Sequence, residues 1–170
     1  MVDKIIIFSG KQYSGKDTAA KIMLEKLTDF RRCAIGDIIK LTYGKKKGLN
    51  YEEIEQNKAF YRPDLITLGN WGREQDPDYW LKKIIEQDGN IIVTDVRVPH
   101  EYELFKNAGA KSIRVEATRE VRSTRGKIVN EDDITEVGLD DVKDWDFVIY
   151  NNSDYESLKR QVLDIVENLC

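Results

Sequence analysis

Apolar residues in this chain fall into short continuous runs, and the segments between the runs carry apolar residues at helical spacing. The first run, IIIF within residues 4–9, is rich in β-branched residues and predicts a strand that is buried on both faces. A glycine-rich stretch follows it, and the apolar stripe over residues 16–27 predicts a helix. Further strands are predicted at residues 32–35, 90–95, 111–116 and 145–150.

The segments between these strands are predicted to be largely helical. Residues 36–87 form the longest such region, and its expected helix breaks are Gly44, Gly48, Pro63, Gly69, Gly72 and Pro77. A shorter helix is predicted over residues 101–108, ended by Gly109. The chain closes with a helix over residues 153–169, for which Ser153 is the predicted N-cap and Glu156 completes a capping box.

This alternation of strands and helices predicts an α/β fold with a doubly wound parallel sheet. Such sheets bind ligands beyond the carboxyl ends of their strands. With 170 residues, the chain is expected to form a single domain. Residues 118–144 are dense in charge, and the pattern assigns no element to them.

Composition excludes several classes of function. A net charge of −4 argues against a surface for a nucleic-acid polymer. The apolar runs are too short for a signal peptide or a membrane span, so a cytoplasmic protein is expected. Cys33 and Cys170 lie far apart and His100 is the single histidine, which predicts two reduced thiols and no structural zinc site. For Cys33, a buried structural thiol is the default expectation.

The stretch GKQYSGKD at residues 10–17 carries the clearest chemical signal. Gly10, Gly15 and Lys16 form the pattern G-x-x-x-x-G-K, with an apolar strand before it and a helix after it. Glycines allow backbone N–H groups to turn inward, and the helix N-terminus adds partial positive charge. The pattern therefore predicts a phosphate-binding loop in which Lys16 contacts the β- and γ-phosphates of a nucleotide.

The residue after this lysine departs from the usual Ser or Thr. Asp17 stands there, and Thr18 follows it. Magnesium prefers oxygen ligands, so either Asp17 or Thr18 is a candidate to bind it beside the phosphates. The alternative is that Asp17 only favours the helix N-terminus electrostatically.

Charged residues elsewhere supply partners for this loop. IIVTDVR at residues 91–97 is an apolar strand that ends at Asp95, which predicts a magnesium-binding acidic residue, with Arg97 at the same sheet edge. Arg62 and Arg73 lie in the helical region. Spacing by three places Arg119, Arg122 and Arg125 on one helix face. That face is either solvated or a mobile arginine lid that neutralises a transferred phosphoryl group.

These motifs resemble one branch of the P-loop kinases. Both bacteriophage-type deoxynucleoside monophosphate kinases and animal-type phosphomevalonate kinases carry S-G-K-D in the loop. Segments similar to the first family include LITLGN, DYWLKKI, TDVRVPHE and TEVGL, and segments similar to the second include KKGLNYEEI, KAFYRPDLI and RGKIVNEDD. The resemblance covers almost all of the chain and implies a nucleoside monophosphate kinase-like fold, with residues 36–87 as a helical acceptor-binding insertion and residues 118–144 as the lid region.

The resemblance also implies roles for individual residues. Arg62 and Arg73 are expected to hold the phosphate of the acceptor, Asp95 and Arg97 to flank the transfer site, and Asn151 to lie near the adenine. Arg122 and Arg125 are expected to form the lid. The full set expected to bind ATP is Gly10, Lys11, Ser14, Gly15, Lys16, Asp17, Thr18 and Asn151.

The implied activity is transfer of the γ-phosphoryl group of Mg-ATP onto a small monophosphate. Trp71, Tyr79 and Trp80 are candidates to stack a base, which favours a deoxynucleoside monophosphate, although core packing is the expected role for at least two of them. Phosphomevalonate is the second candidate acceptor. An enzyme similar to dephospho-coenzyme A kinase, with Asp37 or Asp95 as base, and a non-catalytic ATP-binding protein are further alternatives. The sequence predicts no oligomeric state.

Overall fold

The computed structural model describes residues 2–169 and confirms the predicted α/β architecture. Its strands are β1 Val2–Ser9, β2 Phe30–Cys33, β3 Gly89–Val93, β4 Lys111–Glu116 and β5 Phe147–Tyr150. Its helices are α1 Lys16–Lys26, α2 Ile35–Lys47, α3 Tyr51–Gln56, α4 Lys58–Gln75, α5 Tyr79–Ile85, α6 Pro99–Asn107, α7 Arg119–Arg125, α8 Ile134–Val137 and α9 Tyr155–Leu169. Cys170 lies outside the described residues.

The strands form one parallel sheet of five within the described chain, in the order β2-β3-β1-β4-β5. In its register, Ser9 of β1 lies opposite Arg114 of β4, and Glu116 of β4 lies opposite Tyr150 of β5. Strand β1 is therefore central, and the loop that follows it emerges at the carboxyl edge of the sheet. This is the edge at which open parallel sheets bind ligands.

The chain divides into two compact units, which we describe separately. Among the described residues, unit 2 comprises 3–32 and 89–169, and unit 1 consists mainly of Cys33–Asp88. The core of unit 2 lies between the sheet and the packed pair α1 and α9. Phe8, Met23 and Ile113 are fully buried in it. Within the described residues, none of the helices has the length and apolar content that a membrane-spanning segment needs.

Unit 1 is helical, as predicted for residues 36–87, but most of the expected helix breaks are wrong. Gly44 lies inside α2, and Pro63, Gly69 and Gly72 lie inside α4. Tertiary packing outweighs local propensity at these glycines. The indole of Trp80 lies against Gly72, where a Cβ atom would approach the ring to 2.6 Å, and its Nε1–H donates to the carbonyl of Gly69 at 3.0 Å.

The start of the closing helix also differs from the prediction. Helix α9 begins at Tyr155, and the carboxylate of Asp154 accepts the N–H of Ser157 at 2.9 Å. Asp154 is therefore the N-cap, and the predicted box of Ser153 and Glu156 does not form. Ser153 and Asp154 both precede the apolar stripe of the helix. Asp is as effective an N-cap as Ser, so the local pattern did not distinguish between these two residues.

Asp146 ties β4, β5 and α6 together at the amino edge of the sheet. Its Oδ2 accepts from the N–H of Ser112 at 2.8 Å, from the Ser112 hydroxyl at 2.9 Å and from Lys106 Nζ at 2.7 Å. Partial burial acts to raise the pKa of this carboxyl, but the donors outweigh burial and hold its pKa below the ordinary value of 3.8.

We expect Gly72→Ala to lower the free energy of unfolding by about 1–3 kcal/mol, because its methyl group overpacks the Trp80 ring. Urea unfolding measures the effect. Gly36→Ala is the matched control, since a Cβ there meets open space and its φ is not left-handed. That variant should be unchanged or more stable by up to about 1 kcal/mol. Equal destabilisation of the two variants would contradict the packing argument.

We expect Asp146→Asn to destabilise the protein by about 1.5–3 kcal/mol at pH 7, where the ionised carboxylate holds its donors. A depressed pKa stabilises the folded state above the unfolded pKa, and this stabilisation is lost as the pH falls through the folded value. The difference between wild type and variant should therefore narrow below about pH 4. Thermal unfolding from pH 7 to pH 3 measures it, with the exposed Asp141→Asn as control. A difference that does not change with pH would refute the charge argument.

Candidate active site

The glycine-rich stretch at residues 10–16, the phosphate loop, connects β1 to α1. Tyr13 and Gly15 have left-handed φ values of 59° and 95°, and the N–H of Ser14 donates to the carbonyl of Lys11 at 3.0 Å. Left-handed residues within a tight turn direct successive N–H groups to one side, which forms an anion-binding concavity. Gly15 also allows close packing, because a Cβ there would collide with the amide of Asn151.

A cavity of about 420 Å³ opens at the phosphate loop. Besides the loop itself it is lined by Asp17, Thr18, Arg97 and Arg125. Lys16 begins α1 and is 9% exposed, so its cation is held at the wall of this cavity. Four cationic side chains, those of Lys11, Lys16, Arg97 and Arg125, line this cavity together with a helix N-terminus, which suits a polyphosphate.

The oxygen groups of the cavity fit a magnesium ion that also binds phosphate oxygens. Asp17 and Thr18 line the cavity, and Asp17 Oδ2 lies 3.4 Å from Lys16 Nζ. The buried hydroxyl of Ser14 has no hydrogen-bond partner among the described residues. Residues 2–169 contain no cluster of three or more acidic, histidine or cysteine side chains suited to a metal. Magnesium bound through one or two carboxylates and a nucleotide needs no such cluster.

Asp95 and Arg97 follow β3 at the same sheet edge. The strand was predicted to end at Asp95, but β3 ends at Val93, so Asp95 lies two residues beyond the observed end of the strand, and it is half-buried. Arg97 lines the phosphate-loop cavity. The carboxylate of Glu101 holds the backbone at Arg97, because it accepts the N–H groups of Arg97 at 2.9 Å and of Val98 at 3.3 Å. Burial raises the pKa of Glu101, the nearby charge of Asp95 adds to this increase, and the two N–H groups oppose it.

The three arginines predicted to share a helix face lie on helix α7, but they have different hydrogen-bond partners. Arg122 is buried and donates to the carbonyls of Ala117 and Gln12 at 3.2 and 3.3 Å. Arg125 donates to the carbonyls of Tyr13 at 3.0 Å and Ser14 at 3.3 Å. Both arginines that were expected to form the lid therefore contact the phosphate loop. Arg119 instead forms an exposed pair with Glu131.

Asn151 lies directly after β5 and also contacts the phosphate loop. It is buried, and its Nδ2 donates to the carbonyl of Ser14 at 2.9 Å. The backbone carbonyl of Asn151 accepts a hydrogen bond from Arg125 Nη2 at 2.7 Å. The structure thus brings Asn151 and Arg125 to the same turn of the loop.

The sequence analysis missed Glu136, which lies in the short helix α8. This buried carboxylate accepts the N–H of Gln12 with both oxygens, at 3.3 and 3.2 Å, and lies 4.0 Å from Arg97 Nη1. The side chain of Gln12 in turn pairs with the backbone of Val129, donating at 2.6 Å and accepting at 3.2 Å. The segment TEVGL was noted for its resemblance, but no local pattern indicates a partner 124 residues away.

A second missed group is a chain of charges beneath the phosphate loop. Arg114 on β4 is 4% exposed and donates to the hydroxyl of Ser9 at 3.0 Å and to Glu116 at 2.8 Å. Its Nη2 lies 3.4 Å from Asp140, which accepts from Lys11 Nζ at 2.9 Å. Lys11, predicted to bind ATP, is therefore held by a carboxylate. The sequence feature that could have indicated this group is Arg114 itself, a charged residue between two apolar residues of a predicted strand.

Arg62 and Arg73 share a second cavity, of about 240 Å³, which lies wholly within unit 1 and which we call the arginine cavity. Lys40 of α2 lines it too, and sequence analysis missed this third cation. Lys40 donates to Glu55 at 2.6 Å, and although burial acts to lower its pKa, that bond and the nearby acidic groups raise the pKa overall. The remaining walls are mainly aliphatic: Ile39, Leu65 and Ile66.

The structure does not bring the predicted base-stacking tryptophans to the arginine cavity. Trp80 is 2% exposed and packs on Gly69 and Gly72, so it belongs to the core of unit 1 and we do not retain it as a substrate residue. Trp71 is 44% exposed but lines a different cavity. It is nine residues from Arg62, about two and a half turns, and therefore projects from the opposite side of α4.

Two family models match the chain, and they overlap in its middle. The model described as Phosphomevalonate kinase matches residues 8–111, which include the phosphate loop and all of the helical region. The model described as Deoxynucleotide monophosphate kinase matches residues 64–162, which include Arg73, Asp95 and α7.

Individual relatives are more distant. "Uncharacterized protein ORF77" of Ictalurid herpesvirus 1 (strain Auburn) is 26% identical over 67% of this chain, which spans about half, 51%, of that relative. Shikimate kinase from Aquifex aeolicus vf5 superposes with a TM-score of 0.53 over 97% of each chain at 18% identity. Dephospho-CoA kinase from Campylobacter jejuni superposes with a TM-score of 0.52 over 99% and 98% of the two chains at 13% identity. These likenesses to solved structures show the shared fold.

The phosphate loop and its cavity, the parallel sheet and the family matches lead to the same conclusion. Each family model covers more than half of the 170 residues. The chain belongs to the small-molecule P-loop kinases that the phosphomevalonate kinase and deoxynucleotide monophosphate kinase models describe.

Proposed function

We propose that this kinase transfers the γ-phosphoryl group of Mg-ATP onto the phosphate group of a small monophosphate. The observation that carries the proposal is the lining of the arginine cavity, where the described residues supply three cations and no carboxylate. Such a lining suits an anionic acceptor. A hydroxyl acceptor would instead need a general base within hydrogen-bond reach.

The candidate base Asp37 is already engaged by other groups. Asp37 lies 3.7 Å from Lys40 Nζ, accepts the hydroxyl of Tyr51 at 2.8 Å and accepts the N–H of Ala34 at the start of α2. These contacts make Asp37 a helix cap and a partner of Tyr51. They argue against its use as the base of an enzyme of the dephospho-coenzyme A kinase type.

Unit 2 supplies the groups proposed to hold ATP. The N–H groups of the phosphate loop and Lys16 would bind the phosphates, and Asn151 would lie beside the nucleotide. Asp17, Thr18 and Asp95 are the proposed ligands of magnesium or of its water shell, and the bound ion would neutralise charge on the β- and γ-phosphates. Arg97, Arg122 and Arg125 are proposed to neutralise the phosphoryl group during transfer.

The proposed reaction needs no proton transfer at the acceptor. An acceptor phosphate oxygen forms a bond to the γ-phosphorus while the bond from that phosphorus to the β–γ bridging oxygen breaks, which gives a diphosphate and ADP. Because the attacking oxygen is already anionic, catalysis consists of alignment and charge neutralisation. The distribution of arginine and lysine in both units supports this mechanism.

A deoxynucleoside monophosphate is our first candidate acceptor. Aliphatic Leu65 and Ile66 offer apolar surface for the faces of a base, and the amide of Asn70 in the same cavity offers a donor and an acceptor for its edge. The deoxynucleotide monophosphate kinase model also matches residues 64–162, which contain these three residues.

Phosphomevalonate is the second candidate. No aromatic side chain is among the described residues that line the arginine cavity, and an aliphatic acceptor needs none. The phosphomevalonate kinase model matches residues 8–111, which include both Arg62 and Arg73.

We expect Arg62→Ala to lower kcat/KM for the acceptor by about 10- to 100-fold, the loss expected for one hydrogen bond between charged groups. The KM for ATP should change little, because the phosphate-loop cavity is lined by residues of unit 2 and Arg62 is not among them. Steady-state kinetics with each substrate varied in turn measure both quantities. Arg160→Ala, an exposed substitution on α9, is the control. Unchanged acceptor kinetics in the Arg62 variant would remove Arg62 from the proposed site.

A coupled ADP-release assay with Mg-ATP tests the function itself. The acceptors are the four deoxynucleoside monophosphates, their ribose forms, phosphomevalonate and dephospho-coenzyme A. We expect turnover with one or two deoxynucleoside monophosphates, and loss of that turnover in Lys16→Met. Turnover with phosphomevalonate alone would establish the second candidate. Bound ATP that never turns over with any acceptor would indicate a non-catalytic ATP-binding protein.

A further inference from the structure

Unit 1 contains a larger cavity that the proposed reaction does not use. This tryptophan cavity, of about 450 Å³, is lined by Tyr43, Lys46 and Lys47 of α2 and by Asp64, Leu68 and Trp71 of α4. Its volume falls within the usual range for small-molecule sites. The α4 residues that form it project from the side opposite Arg62, so one small acceptor cannot occupy both cavities.

The cavity places a partly exposed indole beside two ammonium groups. Lys46 Nζ lies 5.7 Å from the centre of the Trp71 ring, as in a cation–π contact. The Trp71 ring is also held edge-to-face against Tyr79, with ring centres 5.4 Å apart. A fixed aromatic surface with adjacent cations suits a ligand that joins a planar ring to an anionic group.

The opposite part of the cavity is polar. Tyr43 donates its hydroxyl to Asp64 Oδ2 at 2.6 Å, and this bond raises the pKa of Tyr43 to about 12. Tyr43 therefore stays protonated, and Asp64 presents Oδ1 as an acceptor. Such an acceptor suits the amino group of a base or the hydroxyl of a sugar, and it disfavours a ligand that carries only acidic groups.

We propose that the tryptophan cavity is a second ligand site that binds a nucleoside phosphate, with its base on Trp71 and its phosphate at Lys46 and Lys47. The inference does not depend on the proposed reaction, because binding is measured without turnover. The site is separate from the phosphate loop, whose residues all belong to unit 2. Helix α4 carries residues of both cavities in unit 1. A ligand bound in one cavity can therefore change the ligand affinity of the other.

The test uses full-length protein labelled with 5-fluorotryptophan and monitored by ¹⁹F NMR. The resonance that disappears in Trp71→Phe identifies Trp71. Deoxynucleoside mono- and triphosphates are titrated without magnesium. We expect the Trp71 resonance to shift saturably, and the Lys46→Ala/Lys47→Ala variant to bind about tenfold more weakly or worse. Lys45→Ala is the matched control, since Lys45 neighbours these lysines but does not line the cavity.

Arg73→Ala distinguishes the two sites of unit 1, and the proposal expects the Trp71 titration to be unchanged in it. Loss of the Trp71 shift in Arg73→Ala would mean that Trp71 reports on the acceptor site, and the proposal would be wrong. No saturable shift with any nucleotide, or equal affinity of the double variant and wild type, would also overturn it. Lys46→Gln, which keeps the length of the side chain, replaces the double variant if the latter does not fold.

Discussion

The conformation of the phosphate loop depends on the hydrogen-bond donors that bind its carbonyl groups. A loop that turns its N–H groups toward a ligand turns carbonyls the other way, and buried carbonyls need hydrogen bonds. In this chain the donors come from distant segments. Arg122 binds the carbonyl of Gln12, Arg125 binds those of Tyr13 and Ser14, and Asn151 adds a second donor to Ser14. The loop conformation is thus a property of β1, α7 and the end of β5 together.

This arrangement changes the interpretation of the two lid arginines. An arginine has five N–H donors, so Arg125 can hold the loop carbonyls while it lines the phosphate-loop cavity. Glu136 complements the two arginines by accepting the N–H of Gln12. The segment after β4 therefore contributes to the shape of the loop as well as supplying positive charge. Arg119 and Arg125 are both exposed, but Arg125 donates to the loop carbonyls whereas Arg119 pairs with Glu131.

The elements that sequence predicted best are those encoded by local pattern. Strand β4 matches the predicted residues 111–116, where the β-branched Ile113 and Val115 alternate with polar residues after the turn at Gly109. Lys16 and Arg97 line one cavity, as their predicted places at the carboxyl edge of the sheet implied, whereas Arg125 was expected beside the phosphates only from the family resemblance. Glu136 and Arg114 could not be predicted this way, because each has a partner more than a hundred residues away, Gln12 for Glu136 and Ser9 for Arg114. Gly69 and Gly72 were misjudged as breaks because the packing of Trp80 determines their role.

The separation of Trp71 from Arg62 bears on the acceptor. The tryptophans were the sequence argument for a base, yet one is in the core and the other projects from the opposite side of α4. Leu65, Ile66 and Asn70 are then the residues proposed to contact a base, and they would bind it less strongly than an indole would. As the proposed acceptor site, this aliphatic and cationic cavity would recognise its acceptor mainly through the phosphate. Selectivity for the rest of the acceptor would then depend on the shape of α4 rather than on aromatic stacking.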